Sequence, residues 1–149
     1  HMIMNGMDVT GEIRTQDISQ KASLVSAHAI VRDMLLDMQR DVAKKHNVIM
    51  DGRDIGTVVL PKATAKIFLT ASPEVRAQRR YDELVARGDK PDFNDILENV
   101  LQRDHIDQTR EVSPLRKADD ALLLDNSNLT REEQMNWLVE TFNKLTSEC

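Results

Sequence analysis

Asp51-Gly52-Arg53-Asp54-Ile55-Gly56-Thr57 sits directly behind the apolar run Val48-Ile49-Met50. The run is short, partly β-branched and preceded by the turn-like His46-Asn47, so it predicts a buried strand. In open α/β sheets, ligands bind just beyond the carboxyl ends of strands. Two carboxylates, a guanidinium and two glycines at that place point to a phosphate or nucleotide site. The glycines would let backbone approach a ligand. A charged β-turn with an incidental salt bridge is the plain alternative for these seven residues alone.

Working outward, Asn5-Gly6 between short apolar pieces predicts a tight hairpin. Thr15 is placed to cap a short helix. From Ala27 to Lys45, Ile30, Val31, Met34, Leu35, Met38 and Val42 recur at helical spacing, and Lys44, Lys45 and His46 suit the negative end of that helix. A strand is predicted over 65–71. Ser72-Pro73-Glu74 supplies a cap, a first-turn proline and an early acid for a helix running to Arg87, with Gly88 as its stop. Asp92 caps the next helix, built on Phe93, Ile96, Leu97, Val100 and Leu101. Ala121 to Leu124 reads as a further buried strand, and Thr130 to Glu133 as a capping box opening the last helix. The resulting order from Asn47 is strand, strand, helix, helix, strand, helix. That order indicates an α/β domain with a mostly parallel sheet and flanking helices.

The chain has 149 residues, which suits one domain, and 30% of them are charged. Its net charge of −5, with one Trp, one Tyr and three Phe, argues against a nucleic-acid binder. No apolar run approaches the length of a membrane span. Cys149 is the sole cysteine, so no internal disulfide is possible, which fits a cytoplasmic protein. His1, His28, His46 and His105 are the only histidines; the last three read as surface residues. His1-Met2 resembles an expression-vector remnant.

Arg103, Asp107 and Arg110 are spaced i, i+4, i+7 and share one helix side, flanking the apolar stripe. They either form an exposed intrahelical ladder or line a cleft. Arginine suits the second, because its planar fork donates two parallel hydrogen bonds to phosphate. Arg76, Arg79 and Arg80 lie on the preceding helix and could face the same cleft.

At this point the residues resemble a family. Met50 to Pro61, reading MDGRDIGTVVLP, is similar to the hallmark segment of bacterial cytidylate kinases. So are Ala71 to Tyr81, Arg103 to Leu115, and Ala118-Asp119-Asp120-Ala121 with Leu124-Asp125. Asp8-Val9-Thr10, Ile13-Arg14 and Val25-Ser26-Ala27 resemble the family's monophosphate-binding region. The resemblance implies a P-loop nucleoside-monophosphate-kinase fold. Residues 1–45 would form the monophosphate-binding region. Residues 46–149 would form the rest of the core, with a short lid around 79–95. It implies phosphoryl transfer from ATP to CMP or dCMP with Mg²⁺. Ser23, Arg32 and Asp54 would read the cytosine, and Arg103 and Asp107 would hold the ribose. Arg53 and Arg110 would grip phosphate, Asp51 would organise Mg²⁺ and its water without a direct metal ligand, and Arg79 and Arg80 would belong to the lid. Taken alone, Ser23 is an ordinary helix residue and Arg32 a solvated one.

The sequence departs from that family in two motifs, its phosphate loop and a following Asp-x-Gly-x-x-Tyr-Arg segment, neither of which occurs in it. No G-x-x-x-x-G-K-[ST] phosphate loop and no Gly-Lys pair occur in it. The expectation is therefore the C-terminal two-thirds of such a kinase, truncated at the N-terminus and inactive alone. A homodimer or domain swap through open strand edges is expected with it. The competing expectation is a non-catalytic nucleotide-binding or self-associating module on the same scaffold.

Overall fold

The computed structural model describes residues 1–147; Cys149 lies outside the described residues. Asn5 and Gly6 both take positive φ (51° and 81°), the geometry of a two-residue hairpin turn, and they join β1 (Ile3–Met4) to β2 (Met7–Asp8). A 3₁₀ turn (Glu12–Arg14) leads into α1 (Gln16–Ser26), capped by the Thr15 hydroxyl, which accepts from the Ile18 amide. The helical pattern over 27–45 becomes α2 (Ala29–Lys45), with Lys44 and Lys45 in its last turn.

The strand predicted over Val48-Ile49-Met50 does not form. These residues are in no strand, and Ile49 is fully exposed. A strand exists only through its hydrogen-bonded neighbours, and among the described residues none lies beside this run. The chain passes instead through the Asp51–Asp54 loop into one π-helical turn (Ile55–Val59). The Asp54 carbonyl accepts from the Val58 amide at 2.8 Å and from the Thr57 and Val59 amides at longer range. A Cβ at Gly52 would lie 2.9 Å from the Ile55 side chain, so any larger residue here would force that side chain to move.

β3 (Ile67–Thr70) and β4 (Leu122–Asp125) pair in parallel, Ile67 opposite Leu122 and Thr70 opposite Asp125. The α/β class and the parallel pairing are as expected, but the sheet has two strands. β4 is less buried than predicted. Leu124 points inward, whereas Leu122 and Leu123 are exposed, because a two-stranded sheet without cover leaves both its faces open to water. α3 (Pro73–Ala86) begins at the Ser72 cap and stops before Gly88, whose φ of 89° suits glycine. α4 (Phe93–Thr109) starts where the Asp92 carboxylate accepts from the Asn94 and Asp95 amides. α5 (Arg131–Ser147) opens with the reciprocal Thr130–Glu133 capping box.

Helices α3 and α4 form the main packed unit, with Ala77 completely buried and Ile96 nearly so. Tyr81 meets Phe93 edge-to-face at 6.3 Å between ring centres. Ala77 leaves no room for a larger side chain. Ala77→Leu should overpack this interface and destabilise the chain by roughly 2 kcal/mol, read as a lower midpoint of urea unfolding.

Candidate phosphate and nucleoside site

The Asp51–Asp54 loop is held from two directions. From α4, the Asp107 carboxylate accepts from Arg53 Nε at 2.7 Å and lies 3.8 Å from an Arg110 nitrogen. Asp107 is only 3% exposed, so this carboxylate is buried with its cations. From α2, Arg32 donates to the Asp54 carboxylate, itself 7% exposed, and to the Ser26 carbonyl. Arg40, eight residues on, donates to the Val58 and Val59 carbonyls at 2.8 and 3.1 Å and clamps the π-turn to α2.

The i, i+4, i+7 triplet does not form an intrahelical ladder. Arg103 donates to the buried Ser23 hydroxyl on α1, at 3.3 Å. Arg110 lies just past the end of α4, and its Nε and Nη2 donate to the Ser113 carbonyl at 2.8 and 2.6 Å. Ser113 holds a left-handed φ of 50° to present that carbonyl. The Leu115 amide donates to the Asp107 carbonyl at 2.6 Å, folding the 110–115 segment back over α4. Ser23 and Arg32, unremarkable in isolation, are thus both drawn into the polar interior.

Charge does not balance here. Arg32, Arg53, Arg103 and Arg110 face Asp54 and Asp107, four guanidiniums against two carboxylates. Burial holds Arg103 below the ordinary arginine value, and neighbouring Arg53 pushes the same way. Burial likewise lowers Arg110, with Arg32 adding to it. Both shifts disfavour the cation, as expected where positive charge is crowded and only partly compensated. The buried Arg32 Nε has no hydrogen-bond partner. A small cavity of about 50 Å³ lies beside it, lined by Arg32, Asp54, Val58, Val59 and Ser113 among others.

The helix α3 arginines go elsewhere. Arg76 makes a two-pronged pair with Asp104, at 2.8 and 2.5 Å, which raises its pKa chiefly through those hydrogen bonds. Arg79 donates to the side chain and carbonyl of Asn126, just past β4. Arg80 bonds Glu83 and the Arg14 carbonyl. None of the three has a hydrogen bond to the Arg53–Asp107–Arg110 group. Asp51 is exposed at the loop's start. Among the described residues no group of three or more His, Cys, Asp or Glu side chains is arranged to hold a metal ion. No described helix is long and apolar enough to cross a membrane. His28, His46 and His105 are exposed, as expected.

Sequence reasoning missed Arg40, Asn126 and Ser113. Arg40 follows Arg32 by eight residues, a spacing that keeps both on one broad helix side, and that was the available signal. Asn126 and Ser113 act through backbone or long-range contacts that leave no local pattern.

A sequence profile of the family described as cytidylate kinase matches residues 1–144. The curated cytidylate kinase of Bacteroides fragilis is 58% identical over 141 residues, which are 95% of this chain and 62% of that protein. That of Bacteroides thetaiotaomicron is 57% identical over 145 residues, 97% of this chain and 63% of the relative. A more distant one from Clostridium tetani is 48% identical over 144 residues, covering 97% and 62%. With the DGRDIGTVVLP loop, the parallel β3–β4 pair and a residue match of this extent, the chain belongs to the cytidylate kinase family. That is a family of nucleoside monophosphate kinases with the P-loop α/β fold expected above. The chain spans about 62% of the length of the curated relatives it matches.

Asp107 should be the most sensitive position in the cluster. Asp107→Ala leaves Arg53 and Arg110 facing each other without a counter-ion. It is expected to cost about 2 kcal/mol, discounted for the half-exposed Arg53, and to lower the urea midpoint. The double variant Arg53→Met with Asp107→Leu should recover part of that loss.

Proposed function

We propose that this chain carries the monophosphate side of a (d)CMP kinase, the half that receives the γ-phosphoryl of ATP in pyrimidine nucleotide metabolism. The observation that supports it is the uncompensated pair of positive charges among Arg32, Arg53, Arg103 and Arg110, held by buried Asp54 and Asp107. A phosphate monoester brings roughly −1.5 to −2 charges at neutral pH and would restore balance. Residues 1–45 are the monophosphate-binding region in this reading, and 79–95 the lid that carries Arg79 and Arg80.

Arg53 and Arg110 then grip phosphate, and Arg103 and Asp107 the ribose. Ser23, Arg32 and Asp54 read the base. The 4-amino group of cytosine donates, which suits the Asp54 carboxylate or the Ser23 hydroxyl. Its O2 and N3 accept, which suits Arg32. Uracil presents an acceptor at position 4 and would leave Asp54 facing it, a mismatch that discriminates strongly. Arg32 donates to the Asp54 carboxylate, and this adjacent donor and acceptor support the reading that the two engage neighbouring groups of the base. Mg²⁺ would accompany the ATP phosphates and neutralise charge there. In this reading exposed Asp51 orders the water around that ion rather than ligating it. A cytoplasmic setting accords with these substrates.

A second reading is a nucleotide-binding or self-associating module without catalysis. It draws on two observations: no G-x-x-x-x-G-K-[ST] loop occurs in these residues, and β3 and β4 each have one hydrogen-bonded neighbour among the described residues. The open outer edges could pair with a second copy.

Calorimetric titration with CMP, UMP and AMP tests the proposal. CMP should bind at least tenfold more tightly than either control, Asp54→Asn should erase the preference over UMP, and Arg53→Gln should weaken CMP at least tenfold. Equal affinity for all three nucleotides, or none, overturns it.

A further inference from the structure

Helix α2 reaches the Asp54–Val59 segment at both of its ends. Arg32 donates to the Asp54 carboxylate where the segment starts. Arg40 lies about 12 Å further along the helix. Its Nε donates to the Val59 carbonyl at 3.1 Å and its Nη2 to the Val58 carbonyl at 2.8 Å. Among the described residues Arg40 has no carboxylate partner; its acceptors are two neutral carbonyls. Charge pairing therefore does not account for the contact. The rigid fork of the guanidinium, which meets two acceptors at once, does.

The two carbonyls need that donor. The π-turn stops after Val59: the Leu60 amide returns to the Ile55 carbonyl at 2.7 Å and the chain leaves through Pro61. No further helical turn follows to supply amides to Val58 and Val59. Val59 is only 3% exposed, and a buried carbonyl without a donor is costly. The same two residues turn their amides the other way. Val58 and Val59 donate to the Asp54 carbonyl at 2.8 and 3.2 Å, and the Thr57 hydroxyl donates to it at 3.3 Å. A continuous chain of hydrogen bonds thus runs from Arg40 through Val58 and Val59 to the Asp54 backbone, and through the buried Asp54 carboxylate to Arg32. From the α2 side, one attachment at Arg32 would leave the turn free to pivot about that contact. Two attachments on one rigid helix fix both its place and its direction.

We propose that Arg40 is a positioning residue: it holds the Asp54 carboxylate opposite Arg32 and so sets the selectivity for cytosine without touching the base. The selectivity role rests on the reading of Asp54 and Arg32 as residues that recognise the base. Removing Arg40 frees the turn, and a displacement of about 1 Å is enough to uncouple a recognition pair. The loss falls on discrimination between bases. Phosphate capture, which the same reading assigns to Arg53 and Arg110, stays intact.

The test compares the chain with three variants. Arg40→Met keeps the aliphatic stem and removes both donors. Arg40→Lys keeps the charge but not the fork. Lys44→Met removes an exposed cation from the same helix. Amide hydrogen exchange is read without nucleotide, and CMP and UMP affinities by calorimetry. In Arg40→Met the Val58 and Leu60 amides should exchange about tenfold faster or more, while Ala77 on α3 keeps its rate. CMP binding should weaken about fivefold or more with UMP unchanged. Arg40→Lys should recover only part of the CMP preference, and Lys44→Met should match the parent chain in both measurements. Four results overturn the proposal: unchanged exchange at Val58 and Leu60, a CMP preference that survives Arg40→Met, equal losses for CMP and UMP, as general destabilisation would give, or full recovery with lysine. A parent chain that does not prefer CMP over UMP overturns the assignment of the base-reading residues and the selectivity role with it. Locally faster exchange in Arg40→Met would then still uphold the positioning of the turn, and unchanged exchange would overturn that as well.

Discussion

A buried carboxylate holds this molecule together. Asp107, near the end of α4, takes Arg53 from the loop at its front and faces Arg110 from the segment behind it. Three parts of the chain, separated by more than fifty residues at the widest, meet on one charge. Burying an unpaired carboxylate costs several kcal/mol, so the loop, the helix and the returning segment must arrive together. The Ser113 carbonyl and the Leu115 amide complete the arrangement by satisfying Arg110 and the Asp107 backbone.

The same logic recurs across the fold. Arg32 and Arg40 fasten α2 to the π-turn, Arg76 fastens α3 to α4, and Arg79 fastens α3 to the end of β4. Arginine performs here the work that apolar packing does in most domains. The apolar core beyond the α3–α4 contact is correspondingly thin, with no large side chain fully buried among the described residues. Such a scaffold gathers several guanidiniums around the buried carboxylates of Asp54 and Asp107. It leaves the apolar side of α2 exposed.

Much of the local structure was legible in the residues, because its causes are local. The Asn5-Gly6 turn needs two positive φ angles, and the Ser72-Pro73, Asp92 and Thr130–Glu133 caps satisfy amides within one turn. The shared side of Arg103, Asp107 and Arg110 followed from helix geometry alone. What each of them touches did not follow. Spacing equally allowed a ladder along the helix, and the choice of Arg53 over Arg103 as the main partner of Asp107 is made by the distant loop.

Val48-Ile49-Met50 marks the boundary between the two kinds of information. Its apolar, β-branched residues carry the propensity for a strand, and propensity, turn chemistry and capping are properties that a sequence holds in itself. Its pairing is not such a property. With no neighbouring strand among the described residues, Ile49 stands in water. The residues of this chain thus settled its helices, its hairpin and its family. The assembly in three dimensions settled which charges are buried together and which apolar faces remain open, since both depend on contacts between segments far apart in the chain.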